Sequence, residues 1–125
     1  MDKRYSFSID TTRRLMKFRM WGFWEEAEGK EFAKDFNAHV DKVKTLGEGF
    51  YVVVDASNYP VQRKEIQDVH QAGMQYAVTS GMKKSANVVG SAVSRLQLRL
   101  LSQNADTTKF GWFQTEAEAE QWIFS

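Results

Sequence analysis

The sequence predicts an α/β chain with a mixed, mostly parallel sheet and the element order β-β-α-β-α-β-α-β-α. Three observations predict it. The run Phe50-Tyr51-Val52-Val53-Val54-Asp55 is short, β-branched and aromatic, and apolar at both alternating sets of positions; Gly47 and Gly49 precede it and Asn58 and Pro60 follow. Such a run reads as a strand buried on both faces, the kind found inside a parallel sheet. Two alternating segments joined by a short polar link come before it. After it, segments with three- and four-residue apolar spacing alternate with short apolar runs, the pattern of β-α units joined by right-handed crossovers.

Taken in order, Tyr5-Ser6-Phe7-Ser8-Ile9 alternates apolar and polar residues, as a half-buried strand does. Asp10-Thr11-Thr12-Arg13-Arg14 is polar and turn-prone. Residues 15 to 23 resume as a second strand, with Met16, Phe18 and Met20 on one face and Lys17, Arg19 and Trp21 on the other. A five-residue link between such strands predicts an antiparallel hairpin. Its two arginines are readable as a phosphate contact or, more plainly, as solvation of a hairpin tip. Residues 25 to 44 are helical, with Phe32, Phe36, Val40 and Val43 on one face, glutamates in the first turn and Lys42 and Lys44 in the last, as the helix dipole favours.

Pro60 suits the first turn of the next helix, whose face is Ile66, Val69, Gly73, Tyr76 and Ala77 and which closes near Ser80 and Gly81. Ala86-Asn87-Val88-Val89-Gly90 is a second buried strand, and Val93, Leu96, Gln97 and Leu100 mark a helix face running to about Asn104. Phe110-Gly111-Trp112-Phe113 is a last strand. Thr115-Glu116-Ala117-Glu118 has the form of a capping box, opening a final helix in which Trp122 is expected to be buried against the sheet.

The chain has 125 residues, near the modal size of one domain, so one domain over residues 1–125 is expected. A chain this long buries roughly two-thirds of its unfolded surface without the aid of metals or disulfides. There is no cysteine, which excludes structural disulfides and thiolate metal sites. Seventeen Lys+Arg against sixteen Asp+Glu leave a formal charge of +1 and no drive toward polyanions, so no nucleic-acid partner is expected. The longest apolar stretches are about five residues, against the ~20 of a membrane helix, and Met1-Asp2-Lys3-Arg4-Tyr5 leads into no signal-peptide core. A cytoplasmic protein with no integral membrane segment is expected.

This element order, with a strand ending in Asp55, the strand Ala86-Asn87-Val88-Val89-Gly90 and the closing Phe113-x-Thr115-x-x-Glu118-Ala119-x-x-Trp122-Ile123, resembles the SpoIIAA-like family. That family groups small bacterial STAS-like proteins, and its fold is shared with the CRAL-TRIO lipid-binding domains. The resemblance spans nearly the whole chain and is most specific in the closing segment. Those are packing residues, so it speaks to fold more than to function. It implies a non-catalytic regulatory or protein-interaction domain, neither an enzyme nor a cofactor protein. The implied partner is another protein, a second copy of the chain included, or, through the CRAL-TRIO relation, a small apolar or amphipathic ligand. One departure is informative. Anti-sigma-factor antagonists of this superfamily carry an Asp-Ser-Ser/Thr-Gly-type stretch at the start of the helix after the central strand, where its hydroxyl is a phosphorylation switch. Here that stretch reads Asn58-Tyr59-Pro60-Val61-Gln62-Arg63-Lys64, without serine or threonine. Ser57 sits too early, in the expected loop, so the switch is not carried over.

In open sheets of this kind ligands favour the crevice outside the carboxyl ends of the strands. The residues expected to gather there are Asp55, Ser57 and Asn58 from the central strand, Ser91 and Ser94 from the next, and Gln114 after the last. Asp55 reads as a base or ligand group, or as a cap for nearby backbone N–H groups. Ser57 with His70 and Asp55 would be a hydrolytic set, but no Gly-x-Ser-x-Gly motif accompanies it. His39 and His70 read as boundary residues rather than metal ligands, since no His-x-x-x-His spacing joins them. Gly90-Ser91 at a helix start has the form of a phosphate-binding N-terminus or of an ordinary cap. Trp21, Phe23, Trp24, Trp112 and Phe113 supply more aromatic surface than a small core needs, or simply an aromatic core.

Overall fold

A computed structural model of the chain describes residues 3–101 and 107–125; at residues 93, 94, 97, 98, 101 and 107 only the backbone is described. Strands β1 (Tyr5–Asp10), β2 (Leu15–Trp21), β3 (Phe50–Asn58), β4 (Met82–Val89) and β5 (Phe110–Phe113) form a five-stranded sheet in that spatial order. β1 and β2 pair antiparallel, while β2, β3, β4 and β5 run parallel. Helices α1 (Glu26–Val43), α2 (Lys64–Thr79) and α3 (Ala92–Leu101) make the three crossovers, and α4 (Glu116–Ile123) follows β5. The element order is the predicted one.

The pleat sorts the side chains onto two cores. Met16, Phe18, Met20, Val52, Val54 and Ala56 face one side, where Phe32, Phe36, Val40 and Val43 of α1 and Ile66 and Ala77 of α2 cover them. Leu15, Val53, Ala86 and Val88 face the other side, under Ala119 and Ile123 of α4. The central run of β3 is therefore buried on both faces, because helices lie on both sides of it. At the hairpin, Arg14 adopts a left-handed φ of 52° and the Asp10 carboxylate accepts from Arg13 N (3.1 Å) and Nε (2.7 Å). Arg14 Nη1 donates to the Glu48 carbonyl at 2.6 Å. Both tip arginines are thus engaged by the protein itself.

Several boundaries differ from expectation. β3 runs on to Asn58, so Ser57 lies in the strand and not in a loop. Pro60 lies outside α2, which opens at Lys64 with Arg63 as N-cap. β4 begins at Met82, four residues early: Met82 and Lys84 pair with Phe50 and Tyr51, and the Lys84 stem lies on the sheet, its Nζ donating to the Trp122 carbonyl at 2.9 Å and sitting 4.8 Å from that indole's centroid. Trp122 is consequently only half-buried beneath a lysine, and Ala119 and Ile123 anchor α4 in its place. Leu96 and Leu100, expected inward, are exposed at 57% and 54%. The side chains of Val93 and Gln97, and the end of that helix near Asn104, lie outside the described residues. Thr115 does cap α4, its Oγ1 accepting from Glu118 N at 3.2 Å. Thr115→Ala is expected to cost about 1 kcal/mol in urea unfolding.

Candidate functional site

At the carboxyl ends of β2 and β3 two loops are clamped together by one glutamine. Gln62 is buried; its Oε1 accepts from Trp24 N (2.8 Å), and its Nε2 donates to the carbonyls of Gly22 (2.9 Å) and Pro60 (3.0 Å). A primary amide has the acceptor and the two donors this requires. Trp24 is fully buried, and its indole donates to the Trp21 carbonyl at 3.0 Å. Beneath the clamp Tyr59, also buried, shares a 2.6 Å hydrogen bond with His70 Nε2. His70 is thus a core residue, not a boundary one, and burial pushes its pKa down from 6.5 to about 4. Glu28, 1% exposed, accepts from Glu25 N at 3.0 Å and faces Arg4 Nε at 3.6 Å. Arg4 Nη1 in turn donates to the Phe23 carbonyl. What the clamp leaves outside is apolar: Phe23 and Val61 are each 44% exposed, and the Arg63 guanidinium lies 5.1 Å from the Phe23 ring.

Asp55 and Ser57 share the opposite side of β3, where Glu116 at the start of α4 borders the same depression as Asp55. Asp55 Oδ1 accepts from Ser57 Oγ (2.7 Å) and N (3.1 Å), and Oδ2 accepts from Arg19 Nε at 3.0 Å. Partial burial alone would raise the Asp55 pKa; the Ser57 donors and the Arg19 charge outweigh it and hold the carboxyl below its usual range. Asp55 therefore caps its own strand end. With Lys17, Ser6 and Ser8 it borders an open polar depression of about 290 Å³.

The remaining predicted residues are dispersed around this edge. Asn58 is exposed at the end of β3, its carbonyl accepting from Gly22 N at 3.2 Å. Ser91 is exposed on the β4–α3 turn, and its carbonyl accepts from Arg95 N at 3.0 Å to open α3. Ser94 lies in α3 with its side chain outside the described residues; Gln114 is exposed. The end of β3 and the β4–α3 turn touch through backbone: a Cβ on Gly90 would stand 2.2 Å from the Ser57 carbonyl oxygen. Gly90→Ala must push the ends of β3 and β4 apart, and is expected to lower unfolding free energy by about 1–3 kcal/mol. Among the described residues the strand order runs from β1 to β5 without reversal, so no switch point opens a crevice between strand ends; an open depression of about 230 Å³ at the ends of β2 and β3 nonetheless brings Asp55, Ser57 and Asn58 together with Arg19 and Trp21.

No hydrolytic set assembles from these residues. Ser57 bonds Asp55 directly, whereas His70 points into the core on the other side of the sheet, bonded to Tyr59. His39 Nδ1 lies 2.6 Å from the Asp35 carbonyl and its ring stacks on Phe7. Among the described residues no three His, Asp or Glu side chains converge in a way that would hold a metal ion, and no helix is long and apolar enough to cross a membrane. The clamp is not legible in the sequence because Gln62 stands where Pro60 suggests the first turn of a helix, and Tyr59 in the polar link before it. Glu28, for its part, reads like an ordinary dipole residue.

No family model matches the chain, nor does any curated protein. Among solved structures it is similar to the anti-sigma factor antagonist SpoIIAA in its unphosphorylated form, with a TM-score of 0.67 over 97% of this chain and 98% of that one. The fold is that of SpoIIAA. Sequence identity is 10%, so the likeness is one of architecture. It agrees with the SpoIIAA-like resemblance carried by the strand ending in Asp55 and the closing helix. In this chain, the stretch after the central strand holds the buried Tyr59 and Gln62 of the loop clamp.

Proposed function

We propose that this chain is a non-catalytic regulatory domain that acts by binding another protein through the clamped loops at the ends of β2 and β3. The observation that carries the reading is the pair Phe23 and Val61. Both are apolar and 44% exposed, and they stand on loops fixed by the buried Gln62 and Trp24. A rigid apolar pair beside a charged residue, Arg63, has the makeup of an interface anchor, since little ordering entropy remains to be lost on binding. SpoIIAA, whose fold this is, is an anti-sigma factor antagonist. The reading includes no phosphate switch at residues 58–64, because that stretch contains no serine or threonine and its Tyr59 is buried. A photo-crosslinking residue at Val61 tests the proposal. A partner captured there must lose binding to a Phe23→Asp, Val61→Asp variant of unchanged circular dichroism. Equal binding by parent and variant would overturn the reading.

The second reading, a binder of a small apolar ligand, is favoured by a cavity under α1 and α2 lined by Phe18, Met20, Met74, Met82 and His70. Its volume is about 40 Å³, room for one water-sized occupant and far below the roughly 300–1,000 Å³ of small-molecule sites. Ligand binding would require α2 to move. Native mass spectrometry distinguishes the two readings: a retained small mass favours the ligand.

A further inference from the structure

The sheet has two edges, and they are built differently. β5 is four residues long, and shortness is a common protection against edge pairing. β1 is six residues long, pairs with β2 without a bulge, and carries neither proline nor charge from Tyr5 to Ile9. Among the described residues nothing pairs beyond it. Phe7 and Ile9 are only half-buried there, and Ser6 and Ser8 are exposed on the opposite face.

The backbone groups that face this edge can be identified. Trp21 N donates to the Arg4 carbonyl at 3.1 Å, and the register continues as Tyr5 opposite Met20 and Ser6 opposite Arg19. Hydrogen-bonded pairs alternate in an antiparallel ladder, so Ser6, Ser8 and Asp10 turn their N–H and C=O toward β2. Those of Tyr5, Phe7 and Ile9 point outward, with no strand partner among the described residues.

We infer that β1 pairs antiparallel with β1 of a second copy, about a two-fold axis at Phe7, continuing the sheet across two chains. This register gives every outward group a partner: Phe7 bonds Phe7 of the partner, and Tyr5 bonds Ile9 of the partner in both directions. It also overlaps residues 4 to 10 in full, setting the basic Lys3-Arg4 end of each strand against the partner's Asp10; a shift of two residues either way loses pairs. The flanking helix has the same self-complementarity. Glu31 and Asp35 of α1 stand beside the start of β1, where Lys3 reaches them at 3.7 and 3.3 Å. His39 lies over Phe7 with ring centroids 4.3 Å apart, and Lys42 follows one turn later. Acid, then axis, then base is the order an antiparallel copy complements. Apart from Arg4, which also bonds the Phe23 carbonyl, the surface involves none of the residues of the Phe23 and Val61 loops, so the inference stands independently of the proposed partner site.

Sedimentation of the full chain tests it. The parent is expected to sediment at twice the chain mass. A Ser6→Lys, Ser8→Lys variant, which places like charges opposite each other across the axis, is expected to sediment as a folded monomer. The chain has no cysteine, which permits a register test. In the proposed ladder Ser6 faces the partner's Ser8 in a non-hydrogen-bonded pair about 4.5 Å apart, within disulfide range. Two Ser6 residues would be roughly 7–8 Å apart. Oxidation of mixed Ser6→Cys and Ser8→Cys proteins should therefore give the crosslinked pair, and either alone should not. A monomeric parent at its highest soluble concentration, a dimer unaffected by the lysines, or equal crosslinking by Ser6→Cys alone would overturn the proposal.

Discussion

Trp24→Ala is expected to lower the unfolding free energy by about 3–5 kcal/mol, the range for truncating a large aromatic in a core. The site has little means of collapsing to recover that loss. The indole is fully buried, with ring centroids 5.0 Å from Phe32, 5.2 Å from Tyr59, 5.4 Å from His70 and 5.7 Å from Tyr5. These neighbours come from β1, α1, α2 and the β3–α2 loop, so no single element can shift inward to fill the space. The truncation also leaves the Trp21 carbonyl without its 3.0 Å indole donor, an added cost of about 1 kcal/mol or more if water does not enter. Trp24→Phe keeps much of the packing and should cost less. The loss should appear in urea unfolding as a lower midpoint at unchanged slope. It should also loosen the loops that display Phe23 and Val61, so amide exchange around Gly22 and Gln62 should quicken. A Trp24→Ala protein within 1 kcal/mol of the parent would mean that the clamp does not stabilise the fold.

Much of this fold could be read from spacing alone, because apolar and polar residues alternate in the hairpin, apolar residues recur every three and four positions in α1, and β3 is an unbroken apolar run. What could not be read has identifiable causes. β3 continues past Asp55 because main-chain pairing with β2 and β4 runs on beyond it: Ala56 lies opposite Val89 and the polar Asn58 opposite Trp21. Such pairing needs no apolar side chain, so hydrophobic pattern undercounts strand ends. β4 was undercounted at its other end for a similar reason, since lysine stems can lie on a sheet while their charges reach solvent. Trp122 misled in the opposite direction, its size suggesting burial although the smaller Ala119 and Ile123 face the sheet. Of the expected site residues, Asp55 and Ser57 meet in a direct bond whose partner Arg19 comes from a neighbouring strand. Strand neighbours are fixed by topology, and no local motif could pair residues 36 positions apart. His70 was legible in position but not in chemistry: Ile66, His70, Gly73 and Ala77 fall on one helical stripe, and only its polarity argued for the surface.

That burial makes His70 the source of a measurable acid sensitivity. The unfolded chain takes up the imidazole proton near pH 6.5, whereas the folded chain resists it until about pH 4. Between those values the unfolded state binds more protons than the folded one, so stability falls as the pH falls. The sign is that of a depressed folded-state pKa: the full stability is present above pH 6.5 and declines toward pH 4. At about 1.4 kcal/mol for each pH unit, the drop from 6.5 to about 4 amounts to roughly 3 kcal/mol. Carboxylates contribute in a lower window. The Tyr5 hydroxyl holds Asp35 below the usual carboxylate range, and Asp55 is also held low, so their losses fall below the ordinary carboxylate pKa of about 4. Chemical unfolding at a series of pH values should therefore give two successive declines. His70→Gln keeps a neutral hydrogen-bonding group near Tyr59 and removes the titration, so its stability should stay level from pH 6.5 to 4.5 while the parent's drops. Parallel curves for the parent and His70→Gln would show that the imidazole is protonated in the fold, and hence that the Tyr59–His70 pair is open to water.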